Sequence, residues 1–278
     1  MQLVGSSDGV EIAVHDLGGS GDRDLVVVHA TGFCARTYGP LVDVLGARLR
    51  CWGVDLRGHG LSRAPDGLDY QWRGFADDVL AAVAALGLRQ PAALGHSSGG
   101  AAVLAAEAAR PGTFSALWCY EPIVWPEPDK ARARAAALAE GAGRRRDRFA
   151  SAAEAVANFG AKPPLSGFAP EVVDAYVEHA FGPGPDGSLT LRCRPEVEAA
   201  IYLQAPEGDR FADLGRVGCP VVVACGGRSD AVGPELAARL AAAISPGPAR
   251  TRVFERLGHF GPFESPAEVA TAALADLS

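Results

Sequence analysis

The sequence predicts an α/β protein whose mostly parallel sheet is covered by helices on both faces. Two observations support this class. Short apolar runs typical of buried strands alternate with helical stretches, and one strand leads through a glycine-flanked serine directly into a helix. With 278 residues, 48% of them hydrophobic, the chain is large enough for one α/β domain or for a core with a smaller insert.

The elements of the amino-terminal part follow this alternation. The first 20 residues predict a hairpin with its turn at Ser7–Gly9, and the unbroken apolar run Leu25–Val28 predicts a strand covered on both faces. Six further elements follow in the order helix, strand, helix, strand, helix, strand: 36–47, 50–55, 75–86, 91–94, 100–107 and 114–120.

Residues 122–205, called the cap segment below, interrupt the alternation. They are rich in alanine, arginine and glutamate and predict helices near 129–140, 151–159 and 170–180. The alternation resumes with strand 220–225, helix 234–244, strand 250–254 and helix 266–276. We therefore expect a core of residues 1–121 and 206–278, with a helical cap inserted after the sixth strand. Such a cap would cover the carboxyl edge of the sheet, where ligands bind.

The sequence Gly95-His96-Ser97-Ser98-Gly99 lies between a predicted strand and a predicted helix. A Gly-x-Ser-x-Gly in this setting is typical of a nucleophile elbow. The turn is tight enough to hold Ser97 at positive φ, and a Cβ at either glycine would collide with neighbouring backbone. The serine would then project above the sheet edge as a nucleophile.

A nucleophilic serine needs a base and an acid that orients the base. His259 follows the last predicted strand and is flanked by glycines, so it is the candidate base. Asp230 follows strand 220–225 and is the expected acid, which gives the chain order Ser, Asp, His. Glu121, at the end of the strand after the elbow helix, is the alternative acid.

Negative charge on the attacked carbonyl oxygen needs two backbone N–H donors. Ser98, directly after the nucleophile, is expected to supply one. The loop His29–Phe33 is expected to supply the other, with Phe33 as first choice and Cys34 as the neighbouring alternative. His29, His59 and His96 lie beside motif glycines and are interpreted as structural.

Taken in order, these motifs, together with Asp55–Ser62, resemble the α/β-hydrolase superfamily over about residues 8–122 and 206–276. The resemblance implies an eight-stranded sheet, a triad of Ser97, Asp230 and His259, and no cofactor. Serine in the nucleophile position argues against the haloalkane dehalogenases and epoxide hydrolases of the superfamily, which use aspartate. Many members carry methionine where this chain has Ser98.

The leading functional hypothesis is a serine hydrolase that cleaves an ester or related acyl bond through an acyl-enzyme. The same residues also fit a carbon–carbon bond hydrolase, a thioesterase, an amidase, a lactonase, a perhydrolase or a cyclising tailoring enzyme. A non-catalytic small-molecule receptor on the same fold is the alternative outside enzymes. Aromatic residues in and before the cap segment predict a pocket for an apolar or aromatic group: Trp118, Tyr120, Trp125, Phe159, Phe168 and Tyr176. The candidate pocket residues are Trp118, Tyr120, Glu121, Trp125 and Phe260.

Composition argues against other classes. A net charge of −7 disfavours nucleic acid as a main partner, and the basic run Arg144–Arg148 is interpreted as a solvated helix face. No signal peptide, membrane span or metal-ligand motif is recognisable, and the six scattered cysteines are typical of reduced core residues. We expect a cytoplasmic protein that binds a small-molecule substrate without metal or cofactor, with a homodimer as the candidate assembly.

Overall fold

The computed structural model describes residues 1–184, 186–204, 210–244 and 247–277. Eight strands form one sheet in the order β1-β2-β4-β3-β5-β6-β10-β11. Strand β2 runs antiparallel to its two neighbours, and the other pairs are parallel. The strands of this sheet are β1 Gln2–Gly5, β2 Glu11–Gly18, β3 Arg23–Val28, β4 Leu49–Asp55, β5 Ala92–His96, β6 Ala116–Tyr120, β10 Val221–Gly226 and β11 Ala249–Phe254.

Helices connect these strands, and the predicted α/β-hydrolase fold is confirmed. The predicted helix 36–47 begins with a 3-10 turn, Ala35–Tyr38, and continues as the α-helix Gly39–Leu45. The α-helices are α1 Gly39–Leu45, α2 Arg73–Ala85, α3 Ser98–Ala109, α4 Pro128–Gly143, α5 Ala152–Gly160, α6 Pro170–Ala180, α7 Pro195–Gln204, α8 Arg210–Asp213, α9 Pro234–Ala243, α10 Gly261–Glu264 and α11 Pro266–Leu277.

The two faces of the sheet pack into two separate apolar clusters. In β3, Val26 and Val28 join the cluster that contains residues of α2, α3 and α9. Leu25 and Val27 join the opposite cluster with residues of α1 and α11. Alternating side chains of a strand point to opposite faces, so a continuous apolar run is what a sheet covered on both sides requires.

The cap segment contains more structure than the sequence predicted. The three expected helices are α4, α5 and α6. Two features were not predicted: helix α7 and a small antiparallel sheet. The strands of this sheet are β7 Arg148–Phe149, β8 Phe181–Pro183 and β9 Leu189–Leu191, in the order β7-β9-β8. Strands of two or three residues are too short to show alternation. Helix α7 had a recognisable start in Pro195 and the acids of its first turn.

The division into a core and a cap stays a prediction, and its second boundary, at 205/206, falls outside the described residues. All six cysteines are buried and free, as expected from their scattered positions. Among the described residues, no helix is long and apolar enough to cross a bilayer.

A buried carboxylate fastens the carboxyl-terminal helix to the sheet. The Asp276 side chain, 2% exposed, accepts hydrogen bonds from the indole of Trp118 and from the guanidinium groups of Arg250 and Arg252. Burial opposes the charged form, but these hydrogen bonds outweigh it and lower the pKa of Asp276 to about 2. The interaction joins α11 to β6 and β11.

Candidate active site

Ser97 lies at the junction of β5 and α3 with φ of 55°, in the left-handed region. Its N–H donates to the carbonyl oxygen of Tyr120 on the neighbouring strand, at 2.9 Å. A Cβ added at Gly95 would come within 2.6 Å of the Gly99 carbonyl oxygen, and one added at Gly99 within 2.2 Å of the Val28 carbonyl oxygen. Both glycines are therefore required by close backbone approach, and together they place the hydroxyl of Ser97 above the end of β5.

His259 lies in the loop between β11 and α10 and connects two side chains. Its Nε2 is 3.1 Å from the Oγ of Ser97, and its Nδ1 is 2.6 Å from the Oε2 of Glu121. An ionised carboxylate only accepts, so Nδ1 carries a proton toward Glu121. In the neutral ring Nε2 is then free to accept the hydroxyl proton of Ser97.

Glu121 follows β6 directly and has a fully buried side chain. Its Oε1 accepts from the N–H of Gly226 at 2.9 Å. Its Oε2 accepts from the hydroxyl of Ser229 at 2.6 Å and the N–H of Val232 at 3.2 Å, besides His259. Glu121 also has φ of 46°, which is uncommon outside glycine and typical of functional sites. Four donors thus hold this carboxylate against Nδ1 of His259.

Asp230, the acid expected from the sequence, does not contact His259. Its side chain is 90% exposed, and its Oδ1 accepts from Arg134 at 3.3 Å. The register of the sheet explains the difference. Tyr120 pairs with Ala224, so β6 brings Glu121 directly to the carboxyl edge, while Asp230 lies further along the loop after β10. The alternative acid, Glu121, is the one in contact.

A buried chain of hydrogen bonds links His259 to the loop after β3. The Nε2–H of His96 donates to the carbonyl oxygen of His259 at 2.9 Å. Burial lowers the pKa of His96 well below 6.5, so the ring is neutral and its Nδ1 accepts from the hydroxyl of Tyr38, at 2.7 Å. The hydroxyl oxygen of Tyr38 in turn accepts from the N–H of Ala30 at 3.1 Å. The chain thereby joins the loop at Ala30 to the loop that carries His259.

His29 and His59 hold the loop His29–Phe33 from behind. His29 donates from Nδ1 to the carbonyl oxygen of Ala30 at 2.8 Å, and its Nε2 accepts from the N–H of Leu56 at 2.9 Å. His59 accepts at Nε2 from the N–H of Gly32 at 3.0 Å. Burial lowers the pKa of His59 to about 3, so it stays a neutral acceptor.

The N–H of Phe33, the expected second oxyanion donor, is already used in a turn. It donates to the carbonyl oxygen of Ala30 at 3.2 Å, and the Phe33 ring packs against Phe260 and Phe263 and is not itself on the cavity wall. Thr31 lies on the cavity wall instead, and its N–H donates to no group in the described part of the chain. The N–H of Ser98 belongs to the first turn of α3, where no intrahelical acceptor exists.

A cavity of about 170 Å³ lies over Ser97. Trp125 and Phe260 are on its wall, together with Leu138 of α4 and Tyr202 of α7. Trp118 and Tyr120, two other expected pocket residues, are not on the wall. They are two residues apart on β6, share one face and lie in the apolar cluster with α11, while the hydroxyl of Tyr120 donates to the carbonyl oxygen of Gly258.

The basic run at 144–148 is not the solvated helix face expected from the sequence: it follows the end of α4 and reaches into β7, and Arg145 within it has buried partners. Arg145 donates to the carboxylate of Glu198 and, at 2.5 Å, to the hydroxyl of Tyr176. Glu198 is buried, and a Cβ added at Gly32 would come within 2.7 Å of its Oε1. The ion pair therefore lies directly against Gly32, the residue that follows Thr31. A buried partner more than fifty positions away cannot be recognised from a charge run.

This fold and this site together define a class of α/β protein with an elbow serine, a paired histidine and a buried carboxylate at the carboxyl edge of the sheet. A model of the Alpha/beta hydrolase family matches residues 25–273. The chain belongs to this family.

The chain shares about a third or less of its aligned residues with the following individual proteins. Over 122 residues the chain is 34% identical to an N-formylmaleamate deformylase of Pseudomonas putida, and this match covers 44% of the chain and 45% of the relative's length. The structure is similar to that of E-2-(acetamidomethylene)succinate hydrolase, with a TM-score of 0.82, 21% identity and coverage of 99% and 97% of the two chains. It is also similar to a malate-bound thermophilic esterase from Thermogutta terrifontis, with a TM-score of 0.74, 22% identity and coverage of 99% and 97%.

Proposed function

We propose that this protein is a serine hydrolase that cleaves an ester or related acyl bond of a small substrate through an acyl-enzyme. The observation that carries the proposal is the continuous contact from Ser97 Oγ through His259 to Glu121, at 3.1 Å and 2.6 Å. Nucleophile, base and orienting acid are within hydrogen-bond reach of one another, as acyl transfer requires.

In the proposed reaction, the Oγ of Ser97 bonds to the substrate carbonyl carbon while its proton passes to Nε2 of His259. The carbonyl oxygen becomes an oxyanion, and the N–H groups of Thr31 and Ser98 donate to it. The intermediate collapses, the bond to the leaving group breaks, and the departing oxygen, sulfur or nitrogen takes the proton from His259. Water then attacks the acyl-enzyme by the same route and regenerates Ser97.

The cavity supports a small acyl group with an apolar body. Among the described residues its wall is mainly apolar, with Leu138, Ile123 and the rings of Trp125 and Phe260 around the polar groups of the reaction centre. A volume of about 170 Å³ leaves room for a short chain or a single ring. We therefore expect short esters to be better substrates than long ones.

A second candidate is an acyl substrate that also carries a carboxylate. Arg134 lies on the cavity wall, and the carboxylate that pairs with it, Asp230, is itself 90% exposed and open to exchange. The names of an N-formylmaleamate deformylase and of an E-2-(acetamidomethylene)succinate hydrolase, which has the same fold, also refer to substrates that carry a carboxylate. Comparing p-nitrophenyl butyrate with the p-nitrophenyl hemiester of succinic acid, in wild type and Arg134→Gln, separates the two candidates. Only a carboxylate subsite predicts a selective loss of the anionic ester in the variant.

The test of the main proposal combines turnover with covalent labelling. A panel of p-nitrophenyl esters from acetate to decanoate measures acyl preference, and mass spectrometry after treatment with a fluorophosphonate locates the adduct. We expect one adduct, on Ser97, and no turnover by Ser97→Ala. Undiminished hydrolysis by Ser97→Ala refutes the proposal, and a folded wild-type protein that neither turns over nor labels points to a receptor.

A further inference from the structure

Ser98 presents a buried polar group that the proposed triad does not use. The residue is 2% exposed, and its buried Oγ has no hydrogen-bond partner among the described residues. Leaving a buried hydroxyl unpaired is unfavourable, and most buried polar atoms in proteins have a partner. This group therefore requires an explanation.

Ser98 lies on the wall of the cavity and directly follows the nucleophile in the chain. Its N–H and its Oγ are joined through two carbon atoms, so covalent geometry keeps the two donors about 3–4 Å apart. One acceptor atom can thus receive hydrogen bonds from both groups. Hydrogen bonds from two donors stabilise an acceptor most when it carries negative charge. The oxygen that becomes the oxyanion is such an acceptor.

We propose that the hydroxyl of Ser98 is a further catalytic group, which donates a third hydrogen bond to the substrate oxygen that becomes the oxyanion. This inference rests on the proposed acyl transfer by Ser97. The free protein carries the cost of an unpaired hydroxyl, and the oxygen of the transition state supplies the missing partner. The hydrogen bond is strongest when that oxygen is charged, so the group acts on kcat more than on KM.

Replacing Ser98 by alanine tests this directly. A hydrogen bond to a charged group is worth about 1.5–3 kcal/mol, which corresponds to a loss in kcat of roughly 10- to 100-fold, with KM changed less than about threefold. Phosphonylation of Ser97 by a fluorophosphonate should slow by a similar factor, because the phosphonyl oxygen occupies the same site. The adduct should still form on Ser97.

Stability provides the second readout. Ser98→Ala removes an unpaired buried hydroxyl, so its unfolding midpoint should equal or exceed that of wild type. Ser62→Ala is the matched control: the Ser62 hydroxyl accepts from the N–H of Ala13 at 2.8 Å and donates to the carbonyl oxygen of Asp55 at 2.5 Å. This control should lower the unfolding midpoint and leave kcat near wild type.

Two results overturn the inference. One is an Ser98→Ala protein that turns over and labels within about twofold of wild type. The other is a lowered unfolding midpoint for Ser98→Ala, which would show that the hydroxyl has a structural partner. Ser98→Cys keeps a weak donor, so we expect its kcat to lie between those of Ser98→Ala and wild type; a kcat no higher than that of Ser98→Ala contradicts the inference. Failure of the proposed function is distinct, since wild-type Ser97 would then form no adduct at all.

Discussion

Replacing Glu121 by glutamine tests which carboxylate orients the histidine. The amide has one acceptor and one donor where the carboxylate has two acceptors. With its carbonyl oxygen at the Oε1 position, the NH2 group would face both the N–H of Val232 and the protonated Nδ1 of His259. With the carbonyl oxygen at the Oε2 position, the NH2 group lies at the Oε1 position and opposes only the N–H of Gly226. We expect the second orientation, which preserves the proton on Nδ1 but removes the negative charge.

The magnitude follows from that lost charge. During acylation His259 becomes an imidazolium, and a carboxylate about 4 Å from its charge, at an effective dielectric constant of about 20, stabilises it by about 4 kcal/mol. Loss of this stabilisation corresponds to a decrease in kcat of roughly 10³-fold. The repulsion at Gly226 should also cost about 1–3 kcal/mol in the free energy of unfolding.

Steady-state hydrolysis of a p-nitrophenyl ester measures kcat, and urea denaturation measures stability. Asp230→Asn is the matched control, because it makes the same chemical change on a carboxylate that is 90% exposed. Its kcat should change by less than about threefold, whatever happens to KM. The reasoning is refuted if Glu121→Gln keeps more than a tenth of wild-type kcat, or if Asp230→Asn is the variant that loses activity.

Three further predictions concern the surroundings of the site. The pKa of Asp276 lies near 2 in the folded protein and near 3.8 when unfolded, so it contributes about 2 kcal/mol that is fully present above about pH 4 and lost as the pH falls through 2. The free energy of unfolding of Asp276→Asn should therefore depend less on pH between about 4 and 2 than that of wild type. An unchanged acid-denaturation profile contradicts this prediction. Tyr38→Phe leaves the N–H of Ala30 and the Nδ1 of His96 without their partner. Its free energy of unfolding, measured in urea, should fall by about 1–3 kcal/mol, and an unaltered value would exclude the linking chain. Trp125→Ala enlarges the cavity and should move the ester preference toward longer chains, each newly buried methylene raising kcat/KM about fourfold; an unmoved preference would place the acyl group elsewhere.

The parts of this protein that depend on local pattern could be predicted from the sequence. The alternation of elements gave the fold class, because a strand covered on both faces must be continuously apolar and a helix must be amphipathic. The elbow at Ser97 was recognisable because close backbone approach admits only glycine at 95 and 99. The position of His259 followed from its place after the last strand.

The choices between neighbouring residues depend on tertiary structure. Glu121 and Asp230 both follow strands that end at the same edge, and only the pairing of Tyr120 with Ala224 decides which carboxylate meets His259. Thr31 and Phe33 are two positions apart in one loop, where a turn occupies the N–H of Phe33 and the N–H of Gly32 donates to the distant His59. These roles are decided by packing between segments far apart in the chain.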